Sequence, residues 1–406
     1  MARVTKRTAV IAGAGLAGVQ TAVELRGQGW DGRVVLVGAE PHAPYDRPPL
    51  SKSVLLGTAE GSTLDVDLAA LGVETHLGRT ATGLSPDEHR LDTDAGTLEY
   101  DELVLATGAD AVTLPGAAGV PGVHVLRTLD DARRLRPVLE AKGSVVAVGA
   151  GWIGAEAATA AARAGSPVTV VEAAHHVLAG ALPPEVTEPM RAWYAEAGVT
   201  LLTGRAVTGV RDGEVELADG TVLGADAVLV GVGSRPATGW LRGSGIPLAD
   251  DGSVAADASL RAGVPGVHAV GDCASFPSAR YGRRLLIHHW DNALTGARTA
   301  VADILGTAPA VHDPVPYFWS EQFDRYVQYA GRHAASDTPV RRGDQAAGDR
   351  AWSVLWLRPD GTPTAVLAVD RPRDLAQGRR LITRGTRLDP ALAADPGRAL
   401  NACAAA

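Results

Sequence analysis

TAVIAGAGLAGVQTAVELRGQGWDGRVVLVGAE, residues 8–40, decides the fold. TAVIA (8–12) is a buried apolar run, GAGLAG (13–18) a tight turn, a helix follows to about Gln28, and VVLVG (34–38) is a second strand. Strand, turn, helix, strand in that order is a βαβ unit with a parallel sheet. In Gly13-Ala14-Gly15-Leu16-Ala17-Gly18 the first glycine permits the turn, the second lets backbone approach a pyrophosphate, and the third lets helix pack on strand. Glu40 follows Gly18 by 22 residues, where a carboxylate accepts hydrogen bonds from a ribose.

The pattern recurs at 145–172: strand VVAV, turn GAGWIG with Gly149, Gly151, Ile153 and Gly154, helix AEAATAAARAG, strand VTVV, and an acid, Glu172, 18 residues past Gly154. Two such units, 136 residues apart, mean two nucleotide-binding domains or an internal duplication. An acid at 172 favours NADH by repelling a 2′-phosphate, while His175 and His176 pull the other way. Two dinucleotides in one chain suggest a flavin meeting a nicotinamide.

YDELVLATG (100–108) and ADAVLVGVGSRP (225–236) read as strands that close the two units, and GVHAVGDCA (266–274) as a strand with Asp272 at its carboxyl end, where ligands gather in open α/β sheets. Asp272 suits ribityl hydroxyls or an N-cap. From about residue 320, alternating short strands and turns followed by a helical tail give a third, α+β domain.

Composition sets outer limits. At 406 residues two or three domains are expected, and 46% hydrophobic against 21% charged residues excludes a disordered or fibrous chain. A net charge of -8 argues against nucleic acid, and no apolar run reaches the ~18 residues of a membrane span. Arg3, Lys6 and Arg7 before an apolar run have the look of a signal peptide, but the glycine spacing fits a nucleotide turn better, so the cytoplasm is expected. Two cysteines, Cys273 and Cys403, offer no CxxC pair and no cysteine-held metal; Cys273 reads as a packing residue. HExxH and GxSxG are absent, and adjacent His288 and His289 point to opposite faces if they lie on a strand, so neither a metal nor an acyl-transfer site is expected.

The motifs GAGLAG, PYDRPPLSK (44–52), LATG (105–108), LRTLDDA (126–132), GAGWIGAE (149–156), VGVGSRP (230–236), AVGDCA (269–274), HWDNA (289–293) and YFWSEQ (317–322) together make the chain resemble the ferredoxin reductase family of the glutathione-reductase superfamily. Members are NADH-dependent flavoproteins serving bacterial monooxygenases of the cytochrome P-450 type and Rieske dioxygenases. The resemblance implies two Rossmann-like domains, FAD-binding at 1–114 and 245–319 and NAD-binding at 115–244, with a C-terminal interface domain at 320–406. It puts Gly13, Ala14, Gly15, Leu16, Ala17, Gly18, Glu40, Arg47, Lys52, Ala81, Arg127, Asp272 and Trp290 around FAD, and Gly149, Gly151, Ile153, Gly154, Glu156, Glu172 and Gly233 around NAD. Lys52 would place its charge near the flavin, with Glu156 pairing with it and orienting the nicotinamide carboxamide; these two are the expected catalytic residues. Trp290 and Trp319 are candidates for the flavin edge.

HAPYDRPPLSK (42–52) holds no cysteine, which sets aside disulfide and peroxide reductases. His288 stands where members commonly have glutamate. The implied partner is a small acidic two-iron, two-sulfur ferredoxin that feeds an oxygenase, met by a basic face: Arg280, Arg283 and Arg284, or Arg371, Arg373, Arg379, Arg380, Arg384 and Arg387 with only Asp374 opposing. A monomer or weak homodimer is expected. A rubredoxin reductase shares nearly every motif, and an NADH-sensing flavoprotein like apoptosis-inducing factor is the reading from a different class.

Overall fold

A computed structural model describes residues 7–307, 311–343 and 349–405; Arg3 and Lys6 lie outside them. The chain divides into two compact units, one of residues 1–46, 63–110 and 234–316, the other of 47–62, 111–233 and 317–406.

The first unit is built on a parallel sheet in the order Val267–Ala269, Glu102–Leu105, Thr8–Ala12, Arg33–Gly38, Val73–Leu77. Its central strands Thr8–Ala12 and Arg33–Gly38 are nearly continuous apolar runs because both faces are covered, whereas the edge strand Val73–Leu77 is polar and largely exposed. Ala9, Ile11, Val34, Leu36 and Val104 pack on one face with the helices Leu16–Gly27 and Trp290–Leu305. Val10, Ala12, Val35, Val37, Leu103 and Leu105 face the opposite core, which takes in Leu84, Leu91 and Leu98 of a small antiparallel sheet. The expected strand at 266–274 is shorter: Val267–Ala269 ends at a 3-10 turn, Gly271–Cys273, because Gly271 takes φ +72° there. Cys273 is fully buried, as a packing residue should be, and burial pushes its thiol up.

His312 closes this core. Its Nε2 lies 3.0 Å from Asn292 Oδ1, and its ring meets Phe276 edge-on at 4.4 Å. Burial pushes the imidazole down to about 4 from its ordinary 6.5. The unfolded chain therefore takes up a proton as pH falls through 6.5, whereas the folded chain waits until about 4, so stability is lost across that window and is constant above it. The expected loss between pH 7 and pH 5 is about 2 kcal/mol. Urea unfolding of the parent and of His312→Gln at both pH values measures it, and a parent loss no larger than that of the variant would contradict it.

The second unit holds the repeat. Its parallel sheet runs Thr200–Thr203, Val168–Glu172, Val145–Val148, Ala227–Val230, Val123–His124. The helix Trp152–Ala164 opens at Gly151 and stops at Gly165, whose φ of +84° is the left-handed cap that glycine supplies without strain. The C-terminal part is an antiparallel sheet in the order Tyr317–Gln322, Arg325–Gly331, Pro363–Val369, Trp352–Leu357, Thr338–Arg342, packed against the helix Pro372–Arg384. No helix among the described residues is long and apolar enough to cross a membrane.

Candidate functional site

Both glycine turns have one construction. In the first, Gly13 has φ +121°, and a Cβ there would sit 2.1 Å from Ala106 O; one at Gly18 would sit 1.8 Å from Gly13 O. A Cβ at Gly15 would meet nothing within 4 Å. In the second, Cβ atoms at Gly149 and Gly154 would lie 2.5 Å from Gly231 O and 2.0 Å from Gly149 O, while Gly151 has only Gly231 O at 4.0 Å. The outer glycines are thus demanded by packing, and the middle one faces open space. Gly15 and Gly151 are the N-caps of the two helices, and no side chain caps either helix. A helix N-terminus with uncapped N–H groups beside a bare backbone fits a pyrophosphate, so the residues present suit two dinucleotides.

An acid stands at the strand end beside each turn. Glu40 Oε2 accepts the hydroxyl of buried Tyr45 at 2.5 Å, a partner that sequence reasoning missed although PYDRPPLSK contains it. Glu172 ends its strand with Oε2 accepting from Ala150 N at 2.7 Å and Oε1 from Ala174 N at 2.8 Å. Backbone of the glycine turn itself therefore fixes this carboxylate.

In the first unit, Ala81 begins the strand Ala81–Ser85, Asp272 sits in the 3-10 turn, and Trp290 opens its helix with Nε1 donating to Asp46 Oδ1 at 2.9 Å. His288 Nδ1 lies 2.9 Å from Ser234 Oγ; His289 is the N-cap of the same helix, so neither histidine is on a strand. In the second unit, Arg47 donates to Arg127 O, and Arg127 N donates to Asp131 Oδ2 at 3.0 Å in the capping box that starts the helix Leu129–Glu140. Gly233 has φ +123° with nothing near its missing Cβ, and Ile153 is 43% exposed. Trp319 shares a strand face with Tyr317, ring centroids 6.1 Å apart.

Lys52 and Glu156, 104 residues apart, form an ion pair with Nζ 2.6 Å from Oε2. Two further side chains join them. Ser51 Oγ donates to the same Oε2 at 2.5 Å, and Oε1 accepts from Ser320 Oγ at 2.8 Å and from Glu321 N at 3.3 Å. A carboxylate offers about four lone-pair directions, and four donors occupy them. Glu156 is thereby equipped to hold Lys52. Neither serine stood out in the sequence.

The basic clusters need correction. Arg284 is exposed, and its Nη1 donates to Ala256 O and Ser275 O, both at 2.7 Å, which holds its side chain in place. In the C-terminal cluster Arg371 pairs with Asp374 at 2.7 Å and Arg387 with Asp360 at 3.6 Å, an opposing acid that the sequence reading did not count. Arg379 lies over the Tyr317 ring, and Arg283 is exposed. Among the described residues no cluster of His, Cys, Asp or Glu could hold a metal.

Two dinucleotide turns, a half-buried Lys–Glu pair and no cysteine pair define an oxidoreductase that works on two bound dinucleotides. The chain belongs to the Pyridine nucleotide-disulphide oxidoreductase family, which it matches over residues 7–297, and it matches the Reductase C-terminal family over 317–404. It uses FAD and NAD(H). It is 37% identical to the 5,5'-dehydrodivanillate O-demethylase ferredoxin reductase subunit of a Sphingobium species, over 98% of each chain. Among solved structures it resembles Fdr9 (TM-score 0.90, 43% identity, 97% of this chain and 99% of that one). It also resembles the covalent putidaredoxin reductase–putidaredoxin complex (TM-score 0.92, 34% identity, 97% of each).

Proposed function

We propose that the chain is an NADH-dependent reductase that passes electrons through FAD to a small acidic two-iron, two-sulfur ferredoxin, which supplies an oxygenase of the P-450 or Rieske type. The pair of glycine turns, each with only its middle glycine facing open space, carries this reading. FAD held at the first turn would supply hydride acceptance from NADH and single-electron donation to the carrier. The protein supplies placement and charge and needs neither nucleophile nor general acid.

Gly13 to Gly18 with Glu40 hold one dinucleotide, and Arg47, Ala81, Arg127, Asp272 and Trp290 complete the FAD set. Gly149 to Gly154 with Glu172 and Gly233 hold the other. Lys52, fixed by Glu156, presents a positive charge to the flavin and favours the reduced ring. Glu172, anchored by two backbone N–H groups, repels a 2′-phosphate and selects NADH. Residues 1–114 with 245–319 form the FAD domain, 115–244 the NAD domain and 320–406 the interface domain. We place the protein in the cytoplasm as a monomer or weak homodimer.

The putidaredoxin reductase relative, seen in a covalent complex with putidaredoxin, supports a ferredoxin as the carrier. Anaerobic NADH-driven reduction of a two-iron ferredoxin and of a rubredoxin, run side by side, tests the choice. Faster ferredoxin reduction is expected, and faster rubredoxin reduction would contradict it.

Of the first basic cluster, exposed Arg283 is the residue assigned to docking. Arg283→Glu should raise KM for ferredoxin about tenfold at low ionic strength, the effect shrinking with salt, while NADH-ferricyanide turnover stays unchanged. Unchanged ferredoxin kinetics would take Arg283 off the docking face.

A further inference from the structure

The helix Trp152–Ala164 turns one stripe toward the hairpin formed by Tyr317–Gln322 and Arg325–Gly331. Trp152, Glu156, Thr159 and Arg163 fall at i, i+4, i+7 and i+11, a single helix face. Trp152 meets Phe318 edge-on at 4.5 Å; Glu156 takes the Ser320 hydroxyl and Glu321 N; Thr159 Oγ1 accepts Phe323 N at 3.1 Å; Arg163 pairs with Asp324 at 2.5 Å.

The hairpin loop is Phe323–Asp324, with φ of +48° and +61°. Two-residue hairpin loops of this left-handed form are normally made by asparagine and glycine, and a bulky residue there is strained. Phe323 stays because it is buried, 4.5 Å from the Tyr194 ring, with its N–H held by Thr159. The loop fixes the register, Gln322 opposite Arg325 and Ser320 opposite Val327. A slip of one residue would turn Ser320 to the other face of the strand.

Ser320 is fully buried, and Gln322 Nε2 donates to its Oγ at 3.1 Å. That leaves the serine hydrogen to be donated to Glu156 Oε1. We propose that Ser320 is a positioning residue for flavin reduction. It holds Glu156 in one orientation, so that the opposite oxygen, shared with Ser51, keeps Lys52 in place. The proposal rests on reading Lys52 and Glu156 as the working pair.

Ser320→Ala, loaded with FAD and mixed anaerobically with NADH, tests it. The limiting rate of flavin reduction should fall about tenfold with the NADH dissociation constant unchanged, and the melting temperature should drop by a few degrees at most. Lysine acylation gives a second readout, because the chain has only Lys6, Lys52 and Lys142 and mass spectrometry resolves each. In Ser320→Ala the labelling of Lys52 should speed up several-fold while that of Lys142 does not change. A parent-like reduction rate in Ser320→Ala overturns the proposal. If the variant fails to retain flavin, labelling of both apoproteins decides, and an unchanged Lys52 rate overturns it. Glu156→Gln separates the two levels. Slow Glu156→Gln with parent-like Ser320→Ala removes only the serine's role, whereas parent-like Glu156→Gln removes the working pair itself.

Discussion

A Gly13→Ala variant is expected to be purified colourless and to unfold well below the parent protein. The added Cβ would lie 2.1 Å from Ala106 O and 2.4 Å from its carbonyl carbon, both backbone atoms of the strand end that packs on the turn. At φ +121° the alanine is strained whatever space is made. Overpacking and strain together should cost about 3 kcal/mol or more, read from urea unfolding of the apoprotein. Gly15→Ala is the matched control. Its Cβ enters open space, so the apoprotein should keep its stability while the flavin, excluded from the backbone, is lost on gel filtration. Equal flavin retention in Gly15→Ala and the parent would mean that the pyrophosphate does not lie there.

Arg342→Met is expected to destabilise the C-terminal part of the chain by about 2–3 kcal/mol, because Asp374 and two backbone carbonyls lose a buried donor. The Arg342 side chain is wholly buried, with Nε 3.0 Å from Asp374 Oδ2. Its other nitrogens donate to Ala393 O and, at 2.6 Å, to Arg398 O, so one guanidinium ties the helix Pro372–Arg384 to the segment that follows it. Asp374 retains Ser353 Oγ at 2.7 Å and Arg371 Nε at 2.7 Å, which should keep the loss below that of a fully orphaned carboxylate. Thermal denaturation compares the variant with the parent. A parent-like melting temperature for Arg342→Met would contradict the assignment.

The two glycine turns were legible because the glycine spacing between strand and helix is itself local. Gly18 and Gly154 must be small because each packs on the first glycine of its own turn, whereas Gly13 and Gly149 are confined by Ala106 and Gly231, at the ends of strands that the chain reaches only much later. The Lys52–Glu156 pair was legible only through resemblance, because no periodicity links residues 104 positions apart. Ser51 and Ser320 were not legible at all. A serine beside a lysine, or within an aromatic strand, looks like any other until the fold brings three segments to one carboxylate. The second basic cluster was misread for a related reason. Asp360 lies 27 residues from Arg387 in sequence, and only the turn before Pro363–Val369 brings it within reach. Local sterics can be read along a chain, whereas the pairing of charges depends on tertiary contacts.

The central claim is that NADH reduces a flavin held by the first turn. Anaerobic stopped-flow mixing of the FAD-loaded protein with NADH, and separately with NADPH, tests it most directly. Rapid bleaching of the yellow flavin band by NADH, with much slower bleaching by NADPH, is the expected result. A protein that holds no flavin, or one bleached only by NADPH, would contradict the account.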